Sequence, residues 1–185
     1  PQQKSPPPPV APPPPPVERP PILLGQASTK TPLFLLDRDR RRSLRIVPLS
    51  MKVMELPEGD ILTFSLEPKT ESPDIASARV NVRKVLEQRW PDLPIGRIAQ
   101  LSTGTDRYAP NNGQAISGPA ALLIHSSLTG RPLRPGVTLV AEVASDGSLT
   151  RPLQSWSYMR ALRLAPGGRL LVAPESEPAL RAMIG

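Results

Sequence analysis

Ser117-Gly118-Pro119-Ala120-Ala121-Leu122, followed by Leu128-Thr129-Gly130-Arg131-Pro132-Leu133-Arg134, is the stretch whose reading decides the fold. The residues from Gly118 to Leu128 predict a helix. Ser117 is placed to cap its start by accepting a backbone amide hydrogen bond, and Gly130 to end it. Downstream, 137–143 reads as a mostly apolar strand, Asp146-Gly147 as a tight turn, and Leu149 as the start of a short return strand. Residues 155–164 read as a further helix, stopped by Ala165-Pro166-Gly167-Gly168. Leu170-Leu171-Val172-Ala173 reads as a buried strand, and 178–184 as a closing helix.

Upstream, Ser72 suits an N-cap, Pro73 the first helical position and Asp74 the positive end of the helix dipole. Ile75, Ala78, Val82, Val85 and Leu86 then keep helical spacing. Pro91 disfavours helix in the residue before it, so this helix ends near Trp90. Residues 95–101 predict a strand, and 102–114 a loop rich in glycine, proline and asparagine. Residues 44–54 and 61–66 read as two strands joined by the turn 56–60, that is, as a β-hairpin. Pro32-Leu33-Phe34-Leu35-Leu36 is a short apolar run suited to a strand, within a transition segment 22–49. Strands mixed with single helices indicate one α+β domain, over 50–185.

The first 21 residues are of another kind. Pro6-Pro7-Pro8-Pro9 and Pro12 through Pro16 lack amide donors and fix φ, so they make neither helix nor sheet. An extended, disordered polyproline II linker is expected, serving as a stiff spacer in preference to a docking ligand.

The chain has 185 residues, 38% of them hydrophobic and only 3% aromatic, so its core must be aliphatic. It has no cysteine, which removes thiolate catalysis, zinc–thiolate sites and disulfides. The net charge of +7 favours anionic partners. Arg38, Arg40, Arg41, Arg42 and Arg45 concentrate part of it and form a candidate anion-binding cluster, although an exposed loop or hairpin neutralised in part by Asp37 and Asp39 is the plainer reading. No apolar run reaches the roughly 18 residues of a membrane span. The chain begins at Pro1, so an upstream anchor or signal is an expectation, and with it an extracytoplasmic location. Membrane attachment would come only through such a segment.

The quoted stretch resembles the proteolytic domain of Lon-type proteases, which carry Asp-Gly-Pro-Ser-Ala-Gly where this chain has Ser117 to Leu122. Leu128-Thr129-Gly130-Arg131-Pro132 is similar to that family's Leu-Thr-Gly-x-Pro. Gly167-Gly168-Arg169-Leu170-Leu171-Val172-Ala173-Pro174 resembles its Gly-Ile-Lys-Thr-Val-Leu-Ile-Pro strand. The resemblance implies a ribosomal-protein-type βα fold with mixed sheets, about four helices and ring-like self-association. It also implies a serine–lysine dyad, and places it at Ala120 and Ser157. Neither position holds the required group, since a dyad needs a hydroxyl nucleophile and a neutral amine within hydrogen-bond reach.

No substitute stands out. His125 is eight residues beyond Ser117, about 12 Å along a helix axis, too far for a direct pair. Glu142 reads as structural and Asp106 as a loop cap. No metal-ligand spacing, P-loop or dinucleotide fingerprint is present, so no metal or cofactor is expected. The leading expectation is a pseudoprotease that binds protein or peptide segments, or assembles with copies of itself, through a groove formed by Ser117, Gly118, Pro119, Ala120, Trp156 and Ser157. A divergent serine peptidase with Ser117 as relocated nucleophile is the second reading, and a nucleic-acid-binding module the third.

Overall fold

A computed structural model of the chain describes residues 21–55, 62, 64–92, 96–104, 114–152 and 168–184. The expected proline-rich linker, the turn at 56–60, Asp106 and the helix at 155–164 lie outside these residues.

The fold is α+β. A six-stranded mixed sheet runs in the order β3-β4-β2-β1-β5-β8, with β1 Ile22–Leu36, β2 Arg42–Glu55, β3 Phe64–Glu67, β4 Arg97–Ser102, β5 Val137–Val140 and β8 Arg169–Val172. A two-stranded ribbon pairs β6 (Glu142–Val143) with β7 (Leu149–Thr150). The three helices among the described residues are α1 (Pro73–Arg89), α2 (Ser117–Thr129) and α3 (Glu177–Ile184).

Residues 22–49, read from sequence as a transition, supply most of the two central strands. β1 is a fifteen-residue strand, longer than the apolar run at 32–36, because β2 pairs with it antiparallel from Ile22↔Glu55 to Leu36↔Arg42. Cross-strand hydrogen bonding thus satisfies the polar stretch Gln26–Lys30, which carries little strand signal of its own. The hairpin expected between 44–54 and 61–66 does not form. β1 and β4 take both edges of β2, and β3 lies parallel to β4 on its far side. The hairpin that does form is β1–β2, turning at Asp37–Arg41. There the Asp37 carboxylate accepts the amides of Asp39 (2.9 Å) and Arg41 (2.7 Å), and Arg40 adopts φ 59°.

Alternation along β2 decides which face is covered. Val47, Leu49, Met51 and Val53 are buried, while Pro48, Ser50 and Lys52 between them are exposed. Ala99 and Leu101 of β4 and Phe64 and Leu66 of β3 continue the buried face by register. Against it lie Ile75, Ala78, Val82 and Leu86 of α1 and Ile116, Ala120, Leu123 and Ile124 at and within α2. The α1 stripe is thus the one its spacing predicts. The Ser72 hydroxyl caps α1 by accepting the Ile75 amide at 3.2 Å. Arg79 ties this helix to β3: its Nε donates to the Phe64 carbonyl (2.8 Å), and its two terminal nitrogens grip Glu71 at 2.8 Å each.

Two close approaches set how α2 sits. It crosses β1 at Gly25, where a Cβ would overlap the Ser127 carbonyl and where the β1–β2 register shifts. Near its start is Gly118, whose missing Cβ leaves room for the Ala141 carbonyl. The single strand expected over 137–143 is therefore two. The chain leaves the main sheet at Ala141 and turns into β6. β5 in turn is held to β1 by a short parallel ladder, reinforced by buried Thr29 and Thr31, whose hydroxyls donate to the carbonyls of Val137 (3.2 Å) and Leu139 (2.7 Å).

Truncating Leu101, which is fully buried between sheet and helices, to alanine is expected to lower unfolding stability by about 2–5 kcal/mol, read as a lower urea midpoint at unchanged slope. Glu71 is held below the ordinary glutamate value of 4.5, chiefly by its hydrogen bond from Arg79. Its contribution is therefore fully present above that value and fades as pH falls through the lowered one. Glu71→Gln should cost under about 1 kcal/mol at pH 7, since Glu71 is half exposed, and the difference from the parent protein should shrink in urea titrations run at successively lower pH below 4.5.

Candidate functional site

The start of α2 is locked into place from two sides. Ser117 is fully buried, and its hydroxyl donates to the Gln114 carbonyl at 2.6 Å while accepting the Val143 amide at 2.7 Å. The expected capping role is not the one it plays: Ile116 is the N-cap, with no side-chain hydrogen bond, and Ser117 is the first helical residue. Its hydroxyl instead joins the turn before the helix to β6, over 26 residues of sequence.

From this junction the walls of a groove of about 660 Å³ follow. Ala121, Leu122 and His125 of α2 form one side, with Val85, Leu86 and Arg89 of α1 beside them. Leu139 of β5 and Leu171 and Val172 of β8 form the floor. Val143, Ser148 and Leu149 of the β6–β7 ribbon close the far side.

The ribbon is held at its distance from α1 by three side chains on one helix face. Asn81 donates to the Val143 carbonyl (2.9 Å), Lys84 to Ser145 (3.3 Å) and Gln88 to Asp146 (3.3 Å). Sequence reading passed over this polar stripe. Its spacing of three and four residues is that of one helix face and was the available signal. The turn they meet is tight, as Asp146-Gly147 predicts: the Ala144 amide donates to Ser148 and the Gly147 amide to Ala144. The Asp146 carboxylate accepts the amide and hydroxyl of Ser148, and these bonds hold its pKa below the usual range.

The groove is apolar with few polar groups. His125 is exposed and meets the Trp90 ring edge-on at 6.2 Å between centroids. Leu149 and Leu171 are 49% and 44% exposed, so large aliphatic surface faces the opening. β8 was expected as a buried strand. It alternates between exposed and half-buried instead, because among the described residues it has a strand neighbour, β5, on one side only.

Of the residues proposed from sequence for a groove, Gly118 lines this one, whereas Ser117, Pro119 and Ala120 are buried beneath it. Ala120 belongs to the main core. Trp156 and Ser157 lie outside the described residues. The arginine cluster is elsewhere: Arg38, Arg40 and Arg41 sit in the β1–β2 turn, and Arg42 and Arg45 at the start of β2, all exposed. Among the described residues no group of three or more histidine, aspartate or glutamate side chains is placed to hold a metal ion.

Ser117→Ala should lower stability by about 1–3 kcal/mol, because the buried Val143 amide loses its acceptor. Amide hydrogen exchange at Val143 is the direct readout and should accelerate in the variant relative to amides in β2.

Comparison with known proteins corrects the Lon-type resemblance. No family model matches the chain. A curated protein that does match is the 3-hydroxyacyl-(acyl-carrier-protein) dehydratase FabZ of Campylobacter fetus subsp. fetus (strain 82-40), 31% identical over 70 residues. That match takes in 38% of this chain and 45% of the dehydratase, so the chain spans less than half the length of the relative it resembles. Nothing in these comparisons points to a Lon proteolytic domain. The Gly-Pro and Leu-Thr-Gly-x-Pro pieces have local explanations here: Gly118 admits a carbonyl, and Gly130 ends α2 at φ 65°.

Proposed function

We propose that this domain binds an extended segment of another protein in the groove between α2 and the β6–β7 ribbon, along the outer edge of β8. The observation that carries the reading is the coincidence of an apolar groove with a sheet edge. β8 is paired on one side only among the described residues, and Leu171 projects from it with 44% exposure. A strand edge supplies main-chain donors and acceptors to an added strand, and flanking pockets supply preference for alternate side chains. A second apolar depression lined by Leu170, Val172 and Leu180 flanks the same strand, so an added strand would find pockets for side chains pointing either way.

The chemistry in the groove favours recognition over reaction. Its titratable groups are Arg89 and His125, and its hydroxyl, Ser148, donates to Asp146. The buried, doubly engaged hydroxyl of Ser117 does not favour the reading in which it is a nucleophile.

The test uses a fluorescein-labelled ten-residue peptide alternating leucine with threonine and flanked by lysines. It should bind with micromolar affinity in anisotropy titrations and be recovered uncut. Leu171→Asp should weaken binding at least tenfold, and proline at two central peptide positions, which removes amide donors, should abolish it. Undiminished binding by both the variant and the proline peptide would exclude the strand edge; cleavage of the peptide would revive an enzymatic reading.

A further inference from the structure

We propose that the β1–β2 hairpin is a second, separate binding element that grips the phosphate backbone of double-helical DNA through its arginine-bearing tip.

Residues 22–55 carry seven cations (Lys30, Arg38, Arg40, Arg41, Arg42, Arg45 and Lys52) against three carboxylates, a net of +4 out of +7 for the whole chain. Two of those carboxylates are already engaged. Asp37 holds the turn by accepting two backbone amides, and Glu55 pairs with Arg97 at 3.0 Å. No carboxylate among the described residues engages the arginine side chains: none of the five makes an ion pair, and all are exposed. Arg42 lies over the Phe34 ring at 4.6 Å, which steadies its guanidinium against the ribbon. The turn is preformed by the Asp37 hydrogen bonds and the left-handed Arg40, so the charges are displayed from a fixed loop.

The shape agrees with the charge. β4 pairs with β2 only over Ser50–Glu55, and β5 meets β1 at Lys30. Beyond those contacts, Leu33–Leu36 and Arg42–Arg45 pair only with each other among the described residues, as a two-stranded antiparallel ribbon. The exposed part of this ribbon is its tip, where a planar guanidinium bonds phosphate in bidentate fashion and a lysine ammonium would act only as a point charge.

Lys30 and Lys52, farther along the hairpin, are exposed as well. The tip also argues against two other polyanions. None of its large apolar residues is exposed, Leu33 being fully buried and Phe34 only 9% exposed, so it offers no wedge for a bilayer. Among the described residues no exposed aromatic ring stands there to stack on the bases of a single strand.

The experiment measures binding of the full chain to a labelled 20-base-pair DNA duplex between 50 and 200 mM KCl. Five phosphate contacts predict a slope of log affinity on log salt near about −4.5, which is about a 500-fold loss over that range. The loop triple variant R38Q/R40N/R41Q should reduce the steepness of that slope by about 2.7. Asparagine is chosen at position 40 because it tolerates the left-handed backbone. A triple variant of equal charge loss away from the arginine-bearing tip, R131Q/R134Q/R151Q, should keep the parent slope within about one phosphate equivalent.

Equal loss in the two triple variants would overturn the proposal, because the attraction would then belong to net charge and not to the hairpin. So would a flat salt dependence, or tighter binding to phosphatidylserine vesicles or to single strands than to the duplex. Circular dichroism of each variant establishes that the comparison is between folded proteins.

Discussion

The Ser117 hydroxyl, shared between the carbonyl before α2 and the amide of β6, fixes the geometry on which the rest of the structure depends. Gly118 beside it lets the Ala141 carbonyl approach where any Cβ would stand. Together they fasten the head of a buried helix to the place where the chain leaves the main sheet. β5 must end there, β6 must turn away, and the space between helix and ribbon becomes the groove. The satisfied polar groups at this junction are buried, and leaving either unpaired would cost more than the bond itself contributes.

A second constraint works from the other end of α2. The helix crosses β1 at Gly25, against the Ser127 backbone, and β1 is the strand onto which β5 is laid by Thr29 and Thr31. The helix is thus pinned at its head to β6 and in its last turns to β1. α1 then fills the remaining width and reaches over to the ribbon with Asn81, Lys84 and Gln88. Apolar burial supplies most of the stabilisation here, but it has no direction; these hydrogen bonds and glycine contacts choose among the arrangements that would bury similar area.

The two proposed binding elements occupy different parts of one sheet and use different physics. The groove at β8 offers aliphatic surface and an open row of backbone groups, suited to an extended polypeptide. The β1–β2 tip offers guanidinium groups on a preformed turn, suited to phosphates. Both arise because the sheet is mixed in length as well as direction. β8 is a four-residue strand with a neighbour, β5, on one side only among the described residues, while β1 and β2 run past the strands that flank them.

The sequence by itself determined the elements whose signals are local. Ser72-Pro73-Asp74 and the stripe Ile75, Ala78, Val82, Leu86 marked α1; Gly130 marked the end of α2; Asp146-Gly147 marked the β6–β7 turn; and the mixture of strands with helices marked the α+β class. Only the tertiary structure decided which strands are neighbours. The pairing of β2 with β1 and not with β3, the edge position of β8 and the burial of Ser117 and Ala120 all depend on partners distant in the chain. A strand's pattern records which of its faces is covered, and says nothing about which strand lies beside it. The short Gly-Pro and Leu-Thr-Gly-x-Pro pieces misled for the same reason. Helix starts and helix stops ask for these residues wherever they occur, so local backbone geometry is enough to produce such a likeness.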